Sequence, residues 1–206
     1  YVREEDNEFV IGAMATQGDV ERFEPLQQFC GGAVVHGIKE ILGVQFRNMA
    51  TMGGSVASKF GFSDIIPALL AVHADIVTYK GGRMSMKDYM NYRERDILVE
   101  IRIPKREVPV AVEALRISRG DFPYLTGSIR RDDTNYEVYI GTRPGAPQLA
   151  EKASALLSEK GLDALDEAAR VASEELVYQK NSHASKEYRI EMAKAMVRRL
   201  VKEVAQ

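Results

Sequence analysis

The longest apolar stretch of this 206-residue chain runs from Ile65 to Val72, eight residues with Pro67 inside it. That is far short of the roughly 20 apolar residues that span a bilayer, so the run belongs to a protein core, and neither a membrane span nor a secretory segment is expected. Ser63 or Asp64 can cap a helix at this point, and Pro67 is tolerated in its first turn, where a missing N–H costs least. Ile65, Ile66, Leu69, Leu70 and Val72 then make its buried side.

The segment Pro104 to Pro109, charged and flanked by two prolines, divides the chain into two units, residues 1–105 and 108–206. In the first, Glu8 to Ala13 alternates and breaks at Gly12, which predicts a strand running into a bend. Asp19 is a plausible helix cap, and a periodic run through Val34, Val35, Ile38, Ile41 and Leu42 predicts a helix closed by Gly43. Residues 45–59 lack periodicity and read as a loop. Strands are predicted at 75–79 and 97–103, with a turn at Gly81-Gly82.

The second unit reads as three strands, 111–118, 124–131 and 136–141, the last two joined as a hairpin, followed by amphipathic helices at 147–158, 162–178 and 184–205. Residues 151–175 hold seven acids against three bases, and 180–203 the reverse, which suits two solvated faces that attract when packed antiparallel. Glu174-Glu175 and Arg198-Arg199 are expected on such faces. The fold class is therefore α+β: an antiparallel sheet with helices, then a small three-stranded sheet with a three-helix cluster.

Lys plus Arg number 28 and Asp plus Glu 30, a net charge of -2 that supplies no positive field for a nucleic-acid backbone. The single cysteine, Cys30, cannot form an internal disulfide, and with His36, His73 and His183 it makes no metal-ligand cluster. Any iron–sulfur cluster this protein serves must sit on another chain. Cys30 reads as a small buried or half-buried apolar residue, His73 as a satisfied core or boundary histidine on the apolar side of its helix, and Tyr124 as strand packing. No nucleophile and base are paired, so no catalytic side chain is assigned.

The segment Arg47-Asn48-Met49-Ala50-Thr51-Met52-Gly53-Gly54-Ser55-Val56, with Asp64 nine residues beyond Ser55, carries the chemistry. Consecutive glycines let backbone N–H groups converge into a nest for an anion, flanked here by the Thr51 and Ser55 hydroxyls. A carboxylate such as Asp64 suits a sugar or ribityl hydroxyl. Arg47-Asn48 is expected to pin the loop to carbonyls rather than to touch ligand. The spacing fits neither the Rossmann nor the P-loop pattern and leaves the ligand open.

The run Gly43 to Val56, followed by Ser63-Asp64-Ile65-Ile66-Pro67-Ala68-Leu69-Leu70-Ala71, resembles the FAD-binding subunit of the molybdenum hydroxylases, the xanthine dehydrogenase and aerobic carbon monoxide dehydrogenase family. Their pattern is Q-x-R-N-x-x-T-x-G-G-N, then S-D-x-x-P-A-L-L-A. Ile11-Gly12-Ala13 with Thr16, Ile97 to Pro104, Arg116-Ile117-Ser118-Arg119 with Asp121, and Ser185 to Arg189 extend the likeness over almost the whole chain. The resemblance implies FAD as cofactor, held by Ile41, Thr51, Gly53, Gly54, Ser55, Asp64, Leu98 and Arg116. Ser55 stands where the pattern has asparagine, and Arg116 where it has lysine.

It further implies an oxidoreductase subunit of the cytoplasm, inactive in substrate oxidation alone. Such a subunit relays electrons from an iron–sulfur partner to NAD or another acceptor, beside a large molybdopterin-binding chain. The family's N-terminal lobe has no counterpart in these residues, so the chain, which starts at Tyr1, reads as a piece of something longer. The alternative is a non-catalytic scaffold of the same fold that has lost FAD.

Overall fold

A computed structural model describes residues 1–206. Strands β1 (Val2–Glu4) and β2 (Glu8–Gly12) pair antiparallel, β2 burying Phe9, Val10 and Ile11. Helix α1 (Gln17–Arg22) starts from Thr16: its hydroxyl accepts the Asp19 N–H at 3.0 Å, and the Asp19 carboxylate accepts the Thr16 N–H at 2.9 Å. The cap is therefore Thr16, and Asp19 is its capping-box partner, a correction to the expected role of Asp19.

Helix α2 (Glu24–Gln28) leads through a tight turn into α3 (Ala33–Lys39). The helix predicted to run through Ile41 and Leu42 ends at Lys39. Gly43, at φ 69° and ψ 140°, lies outside the left-handed well that closes helices, and it caps the start of α4 (Val44–Arg47) instead. With α5 (Met52–Ala57), the predicted loop 45–59 holds two helices, each too short to show a period. Then follow α6 (Ile65–Ala71), β3 (Asp75–Thr78), β4 (Gly82–Ser85), α7 (Met86–Asn91) and β5 (Leu98–Pro104). The five strands form one antiparallel sheet in the order β1-β2-β5-β3-β4.

His73 corrects another expectation: it follows α6 at φ 53°, is exposed, and pairs with Glu137 at 2.6 Å. A positive φ turns its side chain out of the apolar face. Cys30 is buried, as expected, and burial pushes its thiol up to about 11.

The second sheet has four strands rather than three: β6 (Val110–Leu115), β7 (Leu125–Asp132), β8 (Asn135–Gly141) and the two-residue β9 (Gln148–Leu149), in that order. Residues 116–118, expected in β6, lie beyond it. Asp133 takes φ 57° in the two-residue β7–β8 turn. Helices α8 (Glu151–Lys160), α9 (Leu165–Glu175) and α10 (Lys186–Val204) complete the unit. Arg198 joins Asp166 at 2.6 Å between α10 and α9. Arg199 reaches Glu113 of β6, and Glu175 accepts the Lys152 and Ala153 N–H groups at the open start of α8, so these faces are partly claimed from within the chain. Arg189, fully buried, donates to the Tyr124 and Thr142 carbonyls and to Asn181.

Each sheet has its own apolar core, yet Val108, Val110 and Tyr139 pack into the first one. All seven residues of α6 are buried, because the helix lies between β6, β7 and β8 on one side and α3, α5 and α7 on the others. That explains a run with no polar face. Ser128 of β7 donates to the Pro67 carbonyl at 2.7 Å, and Thr142 to that of Gly61 at 2.8 Å. These bonds seat the second sheet on the loop and helix that carry Asp64.

Candidate functional site

A cavity of about 600 Å³ opens where the α3–α6 region of the first unit meets the β6–β7 loop of the second. Six of the eight residues expected at the cofactor line it: Ile41, Thr51, Gly54, Ser55, Asp64 and Arg116. Gly53 and Leu98 do not. Leu98 sits opposite Thr78 inside the first core.

Thr51 caps α5, its hydroxyl accepting the Gly54 N–H at 3.2 Å. The Gly53 N–H donates to the Ala13 carbonyl at 2.8 Å and that of Ser55 to the Thr51 carbonyl at 3.1 Å. Every N–H of the expected anion nest is thus engaged within the chain, which corrects that reading of the glycine pair. Gly53 has a different cause: a Cβ there would stand 2.6 Å from the Ala13 Cβ, so only glycine lets α5 cross the bend after β2. The Ser55 hydroxyl donates to the Thr51 carbonyl and accepts from Gln17 Nε2, both at 2.9 Å.

Asp64 precedes α6, but Ser63 provides the cap, its hydroxyl accepting the Ile66 N–H at 3.2 Å. Asp64 is left for the cavity. Its Oδ1 lies 2.6 Å from Arg116 Nη2, with the side chains only 9% and 7% exposed. Burial pushes the Asp64 carboxyl up to about 6, against the pull of the Arg116 guanidinium and with Glu40 adding to the rise. Arg116 Nε donates to the Asp121 carbonyl at 3.1 Å, fixing the β6–β7 loop over the site. Arg116 Nη1 lies 3.7 Å from Glu40 Oε2, whereas Gln17 Oε1 is a buried acceptor with no partner in the chain, and all of these residues line the cavity.

The apolar part of the lining is Ile41, Leu42, Phe46, Phe60, Phe62 and Phe122. Phe60 stacks on Phe62 at 4.9 Å, and Phe62 meets Phe122 across the two units at 4.6 Å. Sequence reasoning missed the phenylalanines and Gln17, although Phe60-Gly61-Phe62 lies directly before the Ser63-Asp64 motif. Arg47 is buried, holding Glu21 through Nε at 2.7 Å and the Ile41 carbonyl through Nη1 at 2.8 Å. It pins Ile41 and does not line the cavity. The wall as a whole offers acceptors, one cation and flat apolar surface, with no paired nucleophile and base. No helix is long and apolar enough to cross a membrane.

Residues 1–106 match the family described as the FAD binding domain in molybdopterin dehydrogenase, and residues 111–204 the CO dehydrogenase flavoprotein C-terminal domain. The uncharacterized protein YgfM of Escherichia coli K12 is 26% identical over 118 residues, 56% of this chain and 46% of the relative. The chain thus spans about half the length of the curated relatives it matches. Among solved structures, quinoline 2-oxidoreductase from Pseudomonas putida 86 superposes with a TM-score of 0.89 at 19% identity, over 100% of this chain and 78% of that one. Carbon monoxide dehydrogenase from Hydrogenophaga pseudoflava gives 0.89 at 24%, over 100% and 77%. At these identities the superpositions establish the fold. With the family match over more than half its length, this chain belongs to the FAD-binding flavoproteins of the molybdopterin dehydrogenase family.

Proposed function

We propose that this chain is the flavoprotein subunit that takes electrons from iron–sulfur clusters on a partner chain and passes them to NAD or another acceptor, while a molybdopterin-bearing chain oxidises the substrate. In this reading residues 1–105 act as the second lobe of the FAD domain and 108–206 as its C-terminal domain. The observation that carries it is the lining of one cavity: the buried Asp64–Arg116 ion pair, Gln17 with an Oε1 that has no partner in the chain, and the apolar surface of Ile41, Leu42 and the phenylalanines. A ligand with hydroxyls, negative charge and flat rings meets all three demands, and FAD has that chemistry.

Asp64 would accept from a sugar or ribityl hydroxyl, Arg116 would face negative charge, and Thr51, Gly54 and Ser55 would border the chain between the rings. Ile41 and the phenylalanines would exclude water from the flat parts. Gly53 packs against Ala13 and Leu98 lies in the first core, so neither is assigned a contact with the cofactor. FAD, when bound, supplies the redox chemistry, and the chain supplies position and electrostatics.

One observation favours the scaffold alternative: the Ser55 hydroxyl is already engaged with Gln17 and Thr51. The visible spectrum of the native polypeptide carrying these residues decides between them. Flavin bands as isolated, or gained on adding FAD, are the expected result, and bleaching by NADH would identify NAD as acceptor. No bands, and none after adding FAD, would overturn the flavoprotein reading and leave the scaffold.

A further inference from the structure

Gln17 is the first residue of α1, only 2% exposed, and absent from the motif that marks the site. Its backbone N–H donates to the Ala50 carbonyl at 2.8 Å, beside an isolated antiparallel bridge between Thr16 and Thr51. This sets the side chain against the start of α5. The direction of its amide follows from Ser55. That hydroxyl has one proton, which goes to the Thr51 carbonyl at 2.9 Å, so toward Gln17 it can only accept. Nε2 must face Ser55, at 2.9 Å, and the amide cannot be turned round without placing two acceptors together. Oε1 then has no partner in the chain, although Gln17 lines the cavity. A buried acceptor without a donor is costly, and the cost is relieved when a ligand brings one.

We propose that Gln17 is a cofactor-contacting residue: its side-chain carbonyl accepts a hydrogen bond from a hydroxyl or N–H of the bound dinucleotide. It supplies a carboxamide from α1 beside Ser55, whose hydroxyl holds its Nε2. Ser55 thereby becomes a positioning residue, orienting the amide that does the binding. The inference rests on the FAD reading, and the test separates the two.

FAD binding to the flavin-free native polypeptide is measured by fluorescence titration for wild type, Gln17→Met and Gln17→Met/Ser55→Asn, with thermal unfolding of the ligand-free proteins as a control for folding. Methionine keeps the volume and removes both polar atoms. Gln17→Met is expected to weaken FAD about tenfold, equivalent to about 1.4 kcal/mol, and the added asparagine to recover most of that loss. Ser55→Ala, which frees the amide to turn, is the second variant and is expected to weaken binding about threefold. Parallel titrations with FMN and ADP show which half of the dinucleotide carries the donor. If wild type binds FAD and both Gln17→Met and Ser55→Ala bind it equally well, the inference about Gln17 falls and the flavoprotein reading stands. If wild type takes up no FAD, the flavoprotein reading itself falls.

Discussion

Alanine at Gly53 and at Gly54 should have very different consequences, although the two glycines are neighbours in one helix. A methyl at Gly53 would lie 2.6 Å from the Ala13 Cβ and 2.7 Å from its carbonyl oxygen. Carbon atoms pack at about 3.5 to 4.0 Å, so α5 must retreat by roughly 1 Å from the bend after β2. That movement stretches two 2.8 Å bonds, Gly53 N–H to Ala13 and Met52 N–H to Ala15. Overpacking costs about 1–3 kcal/mol and each weakened bond about 1 kcal/mol, against roughly 1 kcal/mol gained in helix propensity. The net is about 2–4 kcal/mol of lost stability, or roughly 5–15 °C in Tm for a chain of this size. At Gly54 the nearest atom is the Thr51 hydroxyl at 3.0 Å, a movable cap, so the propensity gain offsets the loss and the change stays near zero. Urea and thermal unfolding followed by circular dichroism measure both. Gly53→Ala within ~0.5 kcal/mol of wild type, or Gly54→Ala the worse of the two, would refute the assignment of Gly53 to close packing.

Two further outcomes follow from buried charge. The Asp64 carboxyl, held at about 6 in the fold, keeps a proton that the unfolded chain releases near its ordinary value of 3.8. Its contribution to stability is therefore present below about pH 4 and lost as pH rises through 6. The stability of wild type relative to Asp64→Asn should fall by up to about 3 kcal/mol between pH 4 and pH 7, and a flat difference in urea unfolding would contradict it. Arg189→Met leaves the Tyr124 and Thr142 carbonyls and the Asn181 side chain without their donor inside the second unit. A loss of at least about 3 kcal/mol is expected in the same assay, and Arg189→Lys, with one compact charge, should not restore it.

The parts of the fold that announce themselves in sequence are those whose neighbours lie close along the chain or repeat with a period. Ile65 to Ala71 shows its burial outright, and the β7–β8 hairpin is marked by the polar stretch at its turn. The short helices α4 and α5 give no period because neither exceeds six residues. For α7 the local signal is Ser85, which caps it by accepting the Asp88 N–H at 3.0 Å. His73 misled because apolar neighbours argue for burial, whereas a positive φ on a non-glycine residue follows no local rule. In the site, six of the eight expected residues line the cavity, while Gly53 and Leu98 pack within the chain. Gln17 escaped because its partner Ser55 is 38 residues away, and the phenylalanine wall because Phe122 arrives from the other unit.

Helix α6 ends up with a surface contract to honour on every side. Its residues are selected by the second sheet as much as by the helices of its own unit, so a change at Leu69 or Ala68 is judged by both halves of the molecule at once. The prolines at 104 and 109 mark where the chain passes from one unit to the next, but not a seam along which the protein comes apart. A C-terminal half transplanted from a relative would have to fit seven side chains it does not encode, and modularity on paper would meet a single shared core.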